Sequence, residues 1–166
     1  ESHPAIGRGA VVVLQPATGE VLAMASVPSY NPNKFIPKIS REDFQEYLDN
    51  QCVPLLNRAV RGFTPGSTYK VMVSFAGIIA GVEKDHWNCP GGVQYGSKYM
   101  HYWIGQKGGS HGMLDLSGGL KNSCNCYFYQ YGNHAGINMI EKAGKMFGMG
   151  IHSGILLAYS AVSRSS

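Results

Sequence analysis

A chain of 166 residues with 44% hydrophobic and 14% charged content is long and apolar enough to bury a core as a globular domain, and is neither disordered nor fibrous. The formal charge of +4 comes from basic residues scattered as singles, with no Lys/Arg run and no interleaved aromatic stripe, which argues against nucleic acid as a partner. No run of about 18 apolar residues and no signal-peptide pattern occurs, and the abrupt opening "ESHPAIGRG" is expected of a domain excised from a longer protein.

In chain order, "GAVVVLQPATGEVLAMAS" predicts a hairpin over Gly9 to Ser26, because apolar and β-branched residues flank the turn-forming cluster Pro16-Ala17-Thr18-Gly19. The prolines and asparagines of "VPSYNPNKF" predict a loop. Ser40 with Asp43 then marks the start of a helix over "REDFQEYLDN", with Phe44, Tyr47 and Leu48 on one face. Behind a Pro-Gly turn, Ser67 to Ala80 predicts a buried helix, apolar nearly all round and ending at Gly81. Asn88 to Gly112 is rich in Gly and Tyr without helical period, so an extended loop with a short strand or hairpin is expected. Beyond it come a short helix near Leu114 to Leu120, a turn holding "NSCN", a helix over Cys126 to Tyr131 and another over Ile137 to Phe147, stopped by Gly148. The small, polar residues at the end predict a frayed tail over 156–166.

Two phosphate-loop imitations fail. In "GGVQYGSK" Ser97 precedes Lys98, the reverse of the Walker order, and "GMGIHSG" follows a helix with the wrong spacing for a dinucleotide fingerprint. Cys52, Cys89, Cys124 and Cys126 form no Cys-x-x-Cys pair and no Cys/His spacing with a metal habit, which argues against zinc and leaves disulfide pairing open. His111 and the other histidines read as turn or surface residues. Cys124 reads as a small buried thiol, and Tyr127, Tyr129 and Tyr131 as packing residues with their hydroxyls at the rim.

The chemistry-bearing pattern begins at Ser67 and Lys70. Residues i and i+3 share a helix face, so the hydroxyl and the amine can meet, at a helix N-terminus whose free N–H groups favour developing negative charge. A serine needs a base to become a nucleophile, and a lysine serves as one if burial disfavours its charged form. A bare Ser-x-x-Lys is expected about once by chance in such a composition, and the pair alone better suits a helix cap beside a lysine that reaches solvent. Further along, Ser123 and Asn125 stand at i and i+2 in a turn that opens a helix. A second hydroxyl there can relay a proton, and a carboxamide can hold a lysine or a substrate amide.

In order, "GAVVVLQPATGEVLAMASVPSYNPNKF", "LLNRAVRGFTPGSTYKVMV", "HGMLDLSGGLKNSCNCYFYQYG" and "AGKMFGMG" resemble the transpeptidase domain of class B penicillin-binding proteins of the penicillin-binding protein 2 kind. The resemblance implies an α+β fold shared with serine β-lactamases, an antiparallel sheet with a helical subdomain, here incomplete and spanning residues 1–155. It implies Ser67 as the acylated nucleophile, Lys70 as its base, Ser123 as a second catalytic hydroxyl and Asn125 as a substrate-binding residue, with no metal and no cofactor. The implied partners are peptidoglycan stem peptides ending in D-Ala-D-Ala, and β-lactams that mimic them, at the periplasmic face of the bacterial inner membrane. The membrane would be reached only through a segment outside this chain. The family's third motif, Lys-Thr/Ser-Gly, does not occur in the 166 residues, so weak activity and self-association through an uncovered sheet edge are expected. A catalytically incompetent binding module of this fold and a serine β-lactamase remain the alternatives at this point.

Overall fold

A computed structural model describes residues 7–152, 154 and 155; the expected tail over 156–166 lies outside them. The chain divides into two compact units, with the division after Phe63.

In the first unit the predicted hairpin forms. Strand β1 (Gly9–Leu14) pairs antiparallel with β2 (Val21–Val27), Gly9 opposite Val27 and Leu14 opposite Val21, with one irregularity at Val13/Leu14. Among the described residues these strands pair only with each other. Val11, Leu14, Leu22 and Val27 are each more than half exposed. The Pro/Asn segment holds a 3-10 turn, Pro32–Phe35, where a plain loop is predicted, because the Asn31 side chain accepts the Asn33 N–H and Pro32 fits the first helical position. Helix α1 (Arg41–Asp49) starts as its sequence dictates: Ser40 Oγ accepts the Asp43 N–H at 3.0 Å and donates to the Asp43 carboxylate at 2.8 Å. Of its predicted apolar face only Tyr47 finds ring partners, in Tyr30 and Phe35, and Phe44 and Leu48 stay exposed. Arg58 is buried, its guanidinium donating to the carbonyls of Cys52, Val53 and Leu56, and its backbone N–H meets Ser26 Oγ at 3.0 Å.

The second unit begins with a 3-10 turn, Gly66–Thr68, that runs straight into α2 (Tyr69–Ala80). The segment predicted as an extended loop with a short strand or hairpin holds β3 (Trp87–Cys89), has its hairpin in β4 (Gly92–Tyr95) with β5 (Lys98–His101), and also holds a single helical turn, α3 (Trp103–Gln106). The "GGVQYGSK" stretch is the β4–β5 hairpin, Tyr95 opposite Lys98. Strand β6 (Gly112–Leu114) returns to pair with β3, and α4 (Leu116–Lys121), α5 (Asn125–Ala135) and α6 (Ile137–Met146) follow.

Helix α2 packs on α5 and α6, but it is not buried all round. Met72, Val73, Ala76 and Gly77 face inward, whereas Val71, Phe75 and Ile78 are about half exposed. An all-apolar helix carries no signal for which face is covered, so the expectation of full burial overreached. Helix α5 runs one turn past Tyr131, and its tyrosines also depart from expectation. Tyr127 and Tyr131 are fully buried, with rings stacked at 5.3 Å, and their hydroxyls donate to the carbonyls of Asp85 and Ser74 rather than lying at the rim.

Candidate active site

Local sequence sets the nucleophile's position. Gly66 takes φ +57° with open space where a Cβ would be, so the left-handed conformation, costly for other residues, is what the turn asks of it. Ser67 therefore stands in the 3-10 turn ahead of the α-helix, where its sequence predicts the first α-helical turn. It is Thr68 that bonds the turn's backbone, donating its hydroxyl to the Pro65 carbonyl at 2.6 Å. Ser67 is exposed and its Oγ is free of backbone capping.

Opposite lies the "NSCN" turn. Ser123 adopts φ +47°, a region that non-glycine residues seldom occupy, and is held there by Ser123 N–H to Leu120 carbonyl and Cys124 N–H to Gly119 carbonyl bonds, each 2.9 Å. Cys124 Sγ then caps α5 by accepting the Tyr127 N–H.

Three of the four sequence-selected residues converge. Lys70 Nζ lies 3.1 Å from Ser67 Oγ, 2.9 Å from Ser123 Oγ and 2.6 Å from the Ser123 carbonyl oxygen, and the Ser123 hydroxyl donates to Ser67 Oγ at 2.9 Å. Lys70 thus points inward rather than to solvent, with its ammonium 5.8 Å from the Phe128 ring centroid. Burial pushes the Lys70 pKa below the usual lysine value, against a smaller opposing influence of Cys124. In all three contacts the Lys70 amine donates, to the Ser67 hydroxyl, the Ser123 hydroxyl and the Ser123 carbonyl. Asn125 opens α5, half-buried, and among the described residues its carboxamide makes no hydrogen bond to the other three.

The fold also assembles a group that sequence spacing hides. Cys89 Sγ, His111 Nδ1 and Cys124 Sγ all lie within 4.8 Å of one another, Cys89 and His111 at 3.7 Å. Pairing of β3 with β6 brings the first two together and the "NSCN" turn supplies the third, so no local Cys/His pattern could reveal it. His111 is therefore not a lone turn residue, and His134 too has a partner, Asp85 at 2.6 Å. Burial raises Cys89, but hydrogen bonds from Cys124, the His111 and Gly91 backbone and Cys126 outweigh it and leave Cys89 below a free thiol. Burial pushes Cys124 up to about 11 and Cys126 to about 12. Two sulfurs and an imidazole suit a thiophilic cation. Zinc added after chelation should raise the thermal midpoint, with about 2.7 kcal/mol of stabilisation at a hundredfold excess over Kd, and Cys89→Ala should remove the response. An unchanged midpoint with zinc would leave the cluster as packed thiols.

No helix among the described residues is long and apolar enough to cross a membrane. Residues 9–165 match the family described as the penicillin binding protein transpeptidase domain. The peptidoglycan D,D-transpeptidase MrdA of Escherichia coli K12 is 37% identical over 160 residues, covering 91% of this chain and 24% of that protein. The chain thus spans about a quarter of the length of such relatives. Among solved structures, Pseudomonas aeruginosa PBP2 in complex with WCK 5153 superposes with a TM-score of 0.77 at 37% identity, covering 87% of this chain and 32% of that one. Penicillin-binding protein A of Mycobacterium tuberculosis, as a penicillin G acyl-enzyme complex, gives 0.75 at 31% identity, with 87% and 35% covered.

Proposed function

Because this chain belongs to the penicillin-binding protein transpeptidase family, we propose that it carries the nucleophilic half of a peptidoglycan D,D-transpeptidase site, with Ser67 as the residue acylated. The observation that carries this reading is the closed set of contacts among Ser67 Oγ, Lys70 Nζ and Ser123 Oγ, 2.9 to 3.1 Å apart. Lys70, in the deprotonated form that burial favours, takes the Ser67 proton as Oγ attacks the carbonyl carbon of a D-Ala-D-Ala peptide. Ser123 passes a proton to the departing D-Ala amine as the C–N bond breaks, and an acceptor amine later releases the acyl group. Asn125 holds the substrate amide. A β-lactam follows the first half of this course, its ring nitrogen receiving the proton while the opened drug stays attached to Ser67.

The substrates place the reaction at the periplasmic face of the inner membrane. A fluorescent penicillin tests the reading by intact mass. Slow loss of the label fits a transpeptidase, rapid release would identify a β-lactamase, and no adduct at Ser67 under any condition would leave a binding module. The exposed β1–β2 hairpin supports self-association of the isolated chain. Light scattering should find dimers or larger species at micromolar concentration, and a monodisperse monomer would count against it.

A further inference from the structure

The "NSCN" turn holds a serine in a conformation that its own residue type disfavours, and the Ser123 carbonyl accepts from the Lys70 amine at 2.6 Å. Something has to keep that carbonyl where Lys70 needs it. Its other side meets Tyr102, whose hydroxyl lies 3.0 Å from the Ser123 carbonyl oxygen and 3.1 Å from that of Asn122. Tyr102 is buried, 5% exposed, and anchored at both ends: its backbone N–H donates to the Gly91 carbonyl at 3.1 Å, and its ring lies edge-on to Trp103 and His111. It reaches the turn from the segment between β5 and α3, whose core it shares with Val73 of α2 and Tyr127 of α5.

We propose that Tyr102 is a positioning residue for the Ser67–Lys70–Ser123 site, its hydroxyl pinning two successive carbonyls of the strained turn so that the Ser123 oxygens face Lys70. The inference rests on the reading of Ser67 as the acylated residue only for its catalytic consequence. The geometric part stands on the turn alone. A phenol suits this role because the ring is held by packing while one rigid O–H reaches both acceptors, and a tyrosine fixes few torsions to do so. Without the hydroxyl the two part-buried carbonyls lose a shared donor, and φ +47° at Ser123 loses an external restraint.

Tyr102→Phe keeps the ring and removes only the donor. In this 166-residue chain the amide hydrogens of Ser123 and Cys124 should exchange roughly 3- to 10-fold faster, the span expected for one neutral hydrogen bond. The Ser123 carbonyl carbon resonance should shift, while amides of α6 exchange as before. In any chain of this family part that is acylated, the rate constant for acylation should fall by a similar factor with the non-covalent affinity for the β-lactam unchanged. Tyr102→Trp, which fills space without restoring the same donor position, should not rescue either readout. Wild-type exchange and an unmoved carbonyl resonance in Tyr102→Phe would overturn the proposal. Absence of Ser67 acylation in the unmodified chain would instead remove the catalytic assignment and leave the exchange result to decide the role of Tyr102.

Discussion

Lys70→Ala should slow acylation of Ser67 by a labelled penicillin by about 10²- to 10⁴-fold, the range that a positioned general base supplies, and Ser67→Ala should abolish it. The geometry leaves Lys70 without a substitute, because no other amine or carboxylate hydrogen-bonds Ser67 Oγ among the described residues; its partners are Lys70 Nζ and Ser123 Oγ. Since burial holds the Lys70 pKa below its usual 10.5, the amine loses its proton at lower pH than a free lysine. The acid limb of the acylation rate should therefore lie below that value. The 166 residues contain no Lys-Thr-Gly or Lys-Ser-Gly, the motif that the family resemblance implies supplies the second oxyanion N–H, and loss of one such donor costs about 10²- to 10³-fold. Absolute rates in this chain should accordingly be low, and a longer chain carrying that motif should react faster. Intact mass over hours at high drug concentration resolves both comparisons, and label that persists in Ser67→Ala would strip Ser67 of its role.

Gly77→Ala should cost about 3 kcal/mol or more of folding stability. A Cβ at Gly77 would sit 2.1 Å from Tyr131 Cζ and from its hydroxyl oxygen. Tyr131 has nowhere to go, for it is fully buried, stacked on Tyr127, edge-on to Phe128 and bonded to the Ser74 carbonyl. Either α2 and α5 separate or the ring leaves its place, and both uncover the core beneath α2. Gly62→Ala, where a Cβ meets nothing within 4 Å, serves as the control and should be close to neutral. Chemical denaturation gives both numbers, and a Gly77→Ala midpoint equal to the parent's would refute the close-packing account.

What could be read from the chain alone follows from how local each signal is. The β1–β2 hairpin, the Ser40 cap of α1, the stop of α2 at Gly81 and the start of α6 at Ile137 are written within a few consecutive residues, and the structure has them. The meeting of Ser67 with Lys70 needs only one helical turn. Their meeting with Ser123 needs α2 and α5 to pack, which the shared family pattern implied and residue spacing did not. Beyond that reach lie Tyr102 and the Cys89–His111–Cys124 group, which depend on segments far apart in the chain, and the left-handed φ of Ser123, which a serine does not signal. Burial of the Tyr127 and Tyr131 hydroxyls was missed for a related reason: their acceptors are backbone carbonyls of Asp85 and Ser74, and a carbonyl has no residue type to notice.

The buried Arg58 has a consequence for how the first unit responds to ionic strength. Salt weakens attraction between exposed charges, so the contact of Lys34 with Asp43, both side chains about a third exposed, loses strength as electrolyte is added. The guanidinium of Arg58 is satisfied by the carbonyls of Cys52, Val53 and Leu56 and has no carboxylate partner among the described residues. Dissolved ions have little to screen there. Added electrolyte should therefore weaken the Lys34–Asp43 contact and leave the bonds of Arg58 to its three carbonyls unchanged.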